Sequence, residues 1–140
     1  MISKNIILCP SYSGQIKKGV KNFPSLIKPH IKPKYKIINT FINKNNIFHD
    51  NQQIYNNCIK HKNHICIGGD HSIAIGTGAA SLNKYKNVKF IWIDAHADIN
   101  TYNKSTTKNY HGMPLAYLTG LDKNKNFSFI KNKLFFKNLC

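Results

Sequence analysis

VKFIWIDAHAD, residues 88–98, opens on apolar and β-forming side chains and ends on Asp94, His96 and Asp98. Residues 90–93 have the composition of a buried strand, because β-branched and aromatic side chains fit a pleated surface. In extended backbone, side chains two apart share a face, so Asp94, His96 and Asp98 can converge on one point. The pattern recurs upstream in ICIGGDHS, residues 65–72, where an apolar run stops at Gly68-Gly69 and delivers Asp70 and His71. The paired glycines permit a tight turn and close backbone approach. Two strands that each end in a polar cluster point to a parallel sheet, in which ligands bind beyond the carboxyl ends of the strands.

Outward from these stretches, apolar runs alternate with helical patterns. Asn5–Cys9 reads as a first strand, closed by Pro10 and a loop containing Ser and Gly. Residues 35–41 read as a second strand, 64–67 as a third and 88–93 as a fourth. Residues 20–31 have helical character interrupted by Pro24, Pro29 and, just beyond, Pro33. Residues 51–60 place Ile54 and Cys58 on one helical face, and 72–82 form a small-residue helix. Residues 94–110 have no periodicity, and long loops in compact domains are often functional. Residues 113–121 read as a helix with Pro114 in its first turn, and 127–139 are apolar without a clear period. Strands alternating with helices predict an α/β fold, three layers α/β/α around a parallel sheet of about four strands. Residues 1–140 read as a single domain, without repeats or a linker.

The net charge of +16 resembles a nucleic-acid footprint. Yet all 21 basic residues are Lys, and Arg, the residue of bidentate phosphate and guanine contacts, is absent. Abundant Lys, Asn and Ile with no Glu follow A- and T-rich codons, and the lysines are spread along the chain. A basic nucleic-acid-binding module therefore stands only as an alternative. Cys9, Cys58, Cys66 and Cys140 form no CxxC pair, so buried or incidental thiols are expected rather than metal ligands. No apolar stretch reaches the ~18 residues of a membrane span, and the run near the start is too short for a signal segment. The chain reads as cytoplasmic.

All five acidic residues are Asp, and Asp70, Asp94 and Asp98 lie in the two stretches above. Carboxylates with imidazoles form a hard, mixed donor set. With His71 added, it suits Mn²⁺, and less decisively Zn, Fe or Co. A bridging carboxylate can hold two ions that activate water. Taken singly, each residue is as readily a helix cap or a locally satisfied side chain. Three in alternation, beside a Gly-Gly-Asp-His cluster, favour metal ligation. His111, in NYHGMP at 109–114, sits between the polar loop and a helix start, where a proton shuttle and a surface histidine are equally good readings.

GGDHS at 68–72, DAHADIN at 94–100 and HGMP at 111–114, in this order and at these intervals, resemble the arginase branch of the ureohydrolases. NIILCPSYSGQIKKGV, at 5–20, is similar to the family's first strand and Gly-Gln loop. The resemblance implies a site for two Mn²⁺ ions and metal-assisted hydrolysis of L-arginine to L-ornithine and urea. By position, His71 resembles a ligand of the first manganese, His96 one of the second, Asp94 a carboxylate shared by both and Asp98 a ligand of the first. His111 resembles the family's proton-shuttle or general-acid histidine. Asn100, Ser105, Thr107 and Asn109 match positions that hold the substrate's α-carboxylate; Thr107 replaces the usual Ser and Lys108 the usual Gly. Assembly into a homo-oligomer is also implied.

The resemblance covers nearly all of this chain but about the first half of the family's length. The family's later Asp-x-Asp metal motif, the Asp that reads the α-amino group and the Glu that pairs with the guanidinium have no counterpart in residues 1–140. The expected unit is thus an incomplete ureohydrolase domain, with a non-catalytic remnant or one half of a split enzyme as alternatives to an active hydrolase. The family's strand order is 2-1-3-8-7-4-5-6. The strands ending in GGDHS and DAHAD, third and fourth, flank the seventh and eighth. Here they must either pair directly or leave apolar edges open.

Overall fold

Ile6, Ile7, Leu8 and Cys9 are all buried along β1 (Asn5–Cys9), as a strand covered on both faces requires. In the computed structural model, which describes residues 5–42 and 46–140, β1 is the centre of a three-stranded parallel sheet. Residues 1–4, where the apolar run too short for a signal segment begins, lie outside the described residues. The strand order is β2-β1-β3, with β2 at Lys36–Asn39 and β3 at His64–Gly68. Ile7 lies opposite Ile38 on one side and Cys66 on the other.

The helix α2 (Ile47–Lys60) starts a turn earlier than its periodicity suggests. The Asn46 side chain accepts from the Phe48 and His49 amides at 3.1 and 3.0 Å, an N-cap hidden among the many asparagines. α3 (Ile73–Lys84) packs closely on α2 at Gly76, where a Cβ would meet the Asn51 carbonyl oxygen at 2.6 Å. Ile7 and Cys9 pack with Ile54 and Cys58 of α2 and Ala80 of α3, so both helices cover that face. α1 (Phe23–Ile27) is held to five residues, between 3₁₀ turns at Lys18–Asn22 and Lys28–His30, and packs on β1 and β3. α4 (Pro114–Thr119), ended by Gly120 at φ +77°, joins Ile75 and Ala79 to Phe127, Phe129 and Leu134 in a second core. No described helix is long and apolar enough to cross a membrane.

Lys84 ties the two covering helices together. Its Nζ donates to the carbonyls of Cys58, Ile59 and His61 at 3.0, 3.2 and 3.1 Å, where α2 leaves its last acceptors unpaired. Lys84→Ala is expected to lower stability by roughly 1–2 kcal/mol. Urea unfolding reads this as a lower midpoint at constant slope. An unmoved midpoint would mean that water serves those carbonyls equally well.

Residues 88–93 are not a strand of this sheet, contrary to their composition. Phe90 makes an isolated parallel bridge with Leu139. Its amide donates to the Asn138 carbonyl at 2.8 Å, and the Trp92 amide to that of Cys140 at 2.9 Å. A cleft of about 310 Å³, lined by His64, Cys66, Phe90 and Trp92 among others, lies between β3 and this segment. Ile91 and Ile93 are 76% and 93% exposed. Of the two outcomes open to these strands, direct pairing does not occur: among the described residues β3 is left as an edge strand, and residues 90–92 pair instead with 138–140. Composition made the segment able to pair, but joining this sheet also needs β3 within hydrogen-bonding distance, and the cleft holds the two apart.

Candidate metal centre

β3 ends at Gly68, and the chain turns through Gly69 and Asp70 into α3. Only glycine fits at Gly69, where a Cβ would lie 2.0 Å from the Ser11 carbonyl oxygen. Asp70, 5% exposed, turns inward. Its Oδ1 accepts from the Ser72 amide at 2.7 Å and its Oδ2 from the Gly14 amide at 3.1 Å. Asp70 thus binds the first loop to the end of β3, and His71 is left exposed beyond it.

His71 Nε2 lies 3.1 Å from Asp98 Oδ2 and 3.8 Å from Asp94 Oδ2. One donor atom from each of His71, Asp94 and Asp98 falls within 4.8 Å of the others, close enough to share a cation. The Trp92 ring meets His71 edge-on, with centroids 5.2 Å apart, and restricts the imidazole.

Asp98 is 9% exposed and has φ +48°, in the left-handed region that non-glycine residues avoid. Its Oδ2 is buried and forms no hydrogen bond of good geometry; His71 Nε2, 3.1 Å away, and the Trp92 side chain are the groups that face the carboxylate. Burial pushes the Asp98 carboxyl above its ordinary range, and the neighbouring His71 imidazole pulls it back. Asp94 moves the other way, held below the usual range chiefly because the His96 amide donates to its Oδ1 at 2.9 Å.

His96 stands outside this trio. Its side chain is 83% exposed, with Nδ1 3.5 Å from Asp94 Oδ1. The backbone bends at Ala95 and His96, so of the three alternating side chains Asp94 and Asp98 face His71 while His96 meets Asp94 from the outer side.

A cleft of about 420 Å³ adjoins the trio, lined by His96, Asp98, Ile99, Asn100, His111 and Gly112. His111 is fixed by Gly14, whose carbonyl accepts from the His111 amide at 3.1 Å and lies 3.3 Å from the ring's Nδ1. A carbonyl can only accept, so Nδ1 is the donor in this contact, and in the neutral ring Nε2 is the nitrogen left to take up a proton. Gly14 therefore links Asp70 to His111, a role that sequence reasoning missed; the Gly-Gln loop was its one visible trace.

Of the four positions matched to the substrate loop, Asn100 lines this cleft. Ser105 is buried, and its Oγ accepts from the Lys108 amide at 3.0 Å. Thr107 Oγ1 accepts from the Asn109 amide at 3.4 Å, so both hydroxyls shape the loop itself. Lys108 adopts φ +57°, which would suit glycine. Its Nζ donates to the Tyr102 carbonyl at 2.7 Å and lies over the Tyr102 ring, contacts that hold the turn without glycine.

Known proteins share this fold. The arginase family model matches residues 15–132. Arginase of Bacillus subtilis is 34% identical over 142 aligned residues, covering 84% of this chain and 48% of that protein. The crystal structure of Bacillus subtilis arginase superposes with a TM-score of 0.82 at 32% identity, covering 98% of this chain and 54% of that one. Entamoeba histolytica arginase, solved in complex with L-ornithine, superposes with a TM-score of 0.87 at 26% identity, covering 99% and 57%. The chain spans about half the length of these relatives.

Proposed function

The chain belongs to the arginase family, and from that premise we propose that it serves manganese-dependent hydrolysis of L-arginine to L-ornithine and urea. What carries this reading is the meeting of His71, Asp94 and Asp98 in one hard donor set, with a buried Asp98 oxygen that forms no hydrogen bond of good geometry. That set fits a divalent ion: carboxylates and imidazole suit Mn²⁺, and a cation would give Asp98 Oδ2 its missing partner. When bound, such an ion lowers the pKa of water and polarises the group under attack.

His71, Asp94 and Asp98 are assigned to the first ion, with Asp94 shared and His96 assigned to the second. His111, its Nδ1 proton held by Gly14, is proposed to accept or return a proton at Nε2. Asn100 is proposed to meet the α-carboxylate in the cleft, and Ser105, Thr107 and Asn109 to shape and complete that contact.

Residues 1–140 do not supply every group this chemistry uses. The Ser11 hydroxyl donates to Asp50 Oδ2 at 3.1 Å, and Asp50 is buried in α2. Asp70 holds backbone amides, and Asp122 accepts from the Tyr102 and Lys123 amides. Asp94 and Asp98 alone remain to balance two divalent ions, and no carboxylate remains for the guanidinium. A second reading follows, in which this polypeptide is one half of a split site. The unpaired edge beside β3 and the exposed Ile91 and Ile93 favour it.

The polypeptide of residues 1–140, purified with Mn²⁺, is expected to hold one ion per chain and release no urea from L-arginine alone. Two ions per chain with saturable turnover would overturn the view that further carboxylates are needed. Urea release on adding a polypeptide that carries the family's later Asp-x-Asp motif would mark a half-site; its absence would mark a remnant. Tight nucleic-acid binding at moderate salt, unchanged by replacing Asp94 and His96, would instead favour a basic module.

A further inference from the structure

We infer that Cys58, His64 and Cys66 form a separate soft-metal site, suited to Zn²⁺, where the end of α2 meets β3. No sequence spacing announces it, because the fold creates it. α2 ends at Lys60, Asn63 at φ +47° turns the chain, and β3 starts at His64. His64 and Cys66 alternate along β3 and so share a face, the one on which Cys58 is buried.

Several observations fit a tetrahedral ion. The Cys58 and Cys66 sulfurs lie 3.5 Å apart. Two sulfurs bound at about 2.3 Å to a tetrahedral ion sit roughly 3.8 Å apart, so small side-chain adjustments suffice. One donor atom from each of Cys58, His64 and Cys66 lies within 4.8 Å of the others. His64 Nδ1 lies 2.8 Å from the His61 carbonyl oxygen, which can only accept; the proton is therefore on Nδ1, and Nε2 is free to ligate.

The surroundings suit the charge and hold the ligands in place. The His61 and Cys58 carbonyls both accept from Lys84 Nζ, fixing the turn that carries Cys58. Two thiolates balance one divalent ion and the imidazole is neutral, so the complex adds no net charge beside Ile54 and Ala80. His64 and Cys66 line the cleft of about 310 Å³ beside β3, which gives an entry path and room for water as a fourth ligand. Thiolates with imidazole favour Zn²⁺ over Mn²⁺ far more strongly than the carboxylate-rich His71–Asp94–Asp98 trio does, so the two sites are chemically distinct. An ion here would clamp α2 to β3 and stabilise the edge strand.

The test uses the 140-residue chain, purified reduced and titrated with Zn²⁺ or Co²⁺ alone. One Zn²⁺ per chain is expected to survive desalting in excess Mn²⁺, and the cobalt form to show thiolate-to-metal charge-transfer absorption. Cys66→Ala, at a partly exposed position, is expected to weaken zinc binding by at least about 100-fold, with circular dichroism confirming the fold. Asp94→Ala should retain the zinc. The cobalt spectrum of the parent chain reports the ligands without any variant. No retained zinc, cobalt bound without the charge-transfer band, or full zinc affinity in folded Cys66→Ala would each overturn the assignment.

Discussion

Asp98→Asn is expected to weaken Mn²⁺ binding by at least about 100-fold while leaving the metal-free chain as stable as the parent or slightly more so. Asp98 lies in the left-handed region of backbone space with a buried oxygen that forms no hydrogen bond of good geometry, and burial already raises its carboxyl. Each feature costs free energy in the metal-free fold, and a cation answers the electrostatic one. Asn keeps the shape, removes the buried charge and tolerates positive φ better than other side chains, so the apo fold loses little. As a metal ligand, a neutral amide is much poorer than a carboxylate for a hard ion. Electron paramagnetic resonance of free Mn²⁺ reads the affinity, and urea unfolding with chelator present reads the stability. Unchanged Mn²⁺ affinity would remove Asp98 from the ligand set. A metal-free loss above about 1 kcal/mol would show that the carboxylate does structural work of its own.

That separation between metal binding and folding matters because the chain spans about half the length of the relatives it matches. A site that holds one ion loosely differs from a site that never formed, and only the first gives a carboxylate whose removal leaves the apo fold intact. The exposed His96 ring and the open edge of β3 agree with the half-site reading proposed above.

What could be read from the sequence divides along physical lines. β1, β2 and β3 were legible because short apolar runs ended at Pro10, at a polar segment and at Gly68-Gly69. The fourth run had the same composition but did not join β3, pairing only through Phe90 and Trp92 with residues 138–140, because which neighbour a run meets is a property of the fold and not of the run. The start of α2 was hidden because Asn46 looks like every other Asn in an Asn-rich chain. Period-two alternation anticipated the meeting of Asp94 and Asp98, while a bend at Ala95 and His96 breaks the extended geometry that the rule assumes and leaves the His96 ring at the outer side of Asp94. Lys108 at a glycine-like position looked like an interruption, yet the loop keeps its turn because the lysine ammonium finds two loop carbonyls. The Cys58, His64 and Cys66 grouping left no trace in the sequence, because a helix end and a strand meet only after folding.

Asp70→Ala is expected to cost roughly 3–4 kcal/mol, more than Lys84→Ala or Asp98→Asn, although Asp70 lies in the motif that looks most catalytic. Its two oxygens accept from the Ser72 and Gly14 amides, and the residue is buried. Alanine removes two charge-assisted hydrogen bonds of roughly 1.5–3 kcal/mol each and strands two backbone donors out of easy reach of water. Against a typical total of about 5–15 kcal/mol, this is a large share of the fold's stability. Asp70→Asn should fall between, because its amide oxygen can serve one donor while its NH₂ group faces the other. The damage should also reach His111. Gly14 donates to Asp70 through its amide and accepts from His111 through its carbonyl, so releasing Gly14 frees the imidazole ring. In the folded fraction, nitrogen NMR of His111 should then show mixed tautomers where the parent shows the Nδ1-protonated form. A loss below about 1 kcal/mol with an unchanged tautomer would mean that water replaces the carboxylate, and that the Gly14 loop is fixed by its other contacts rather than by Asp70.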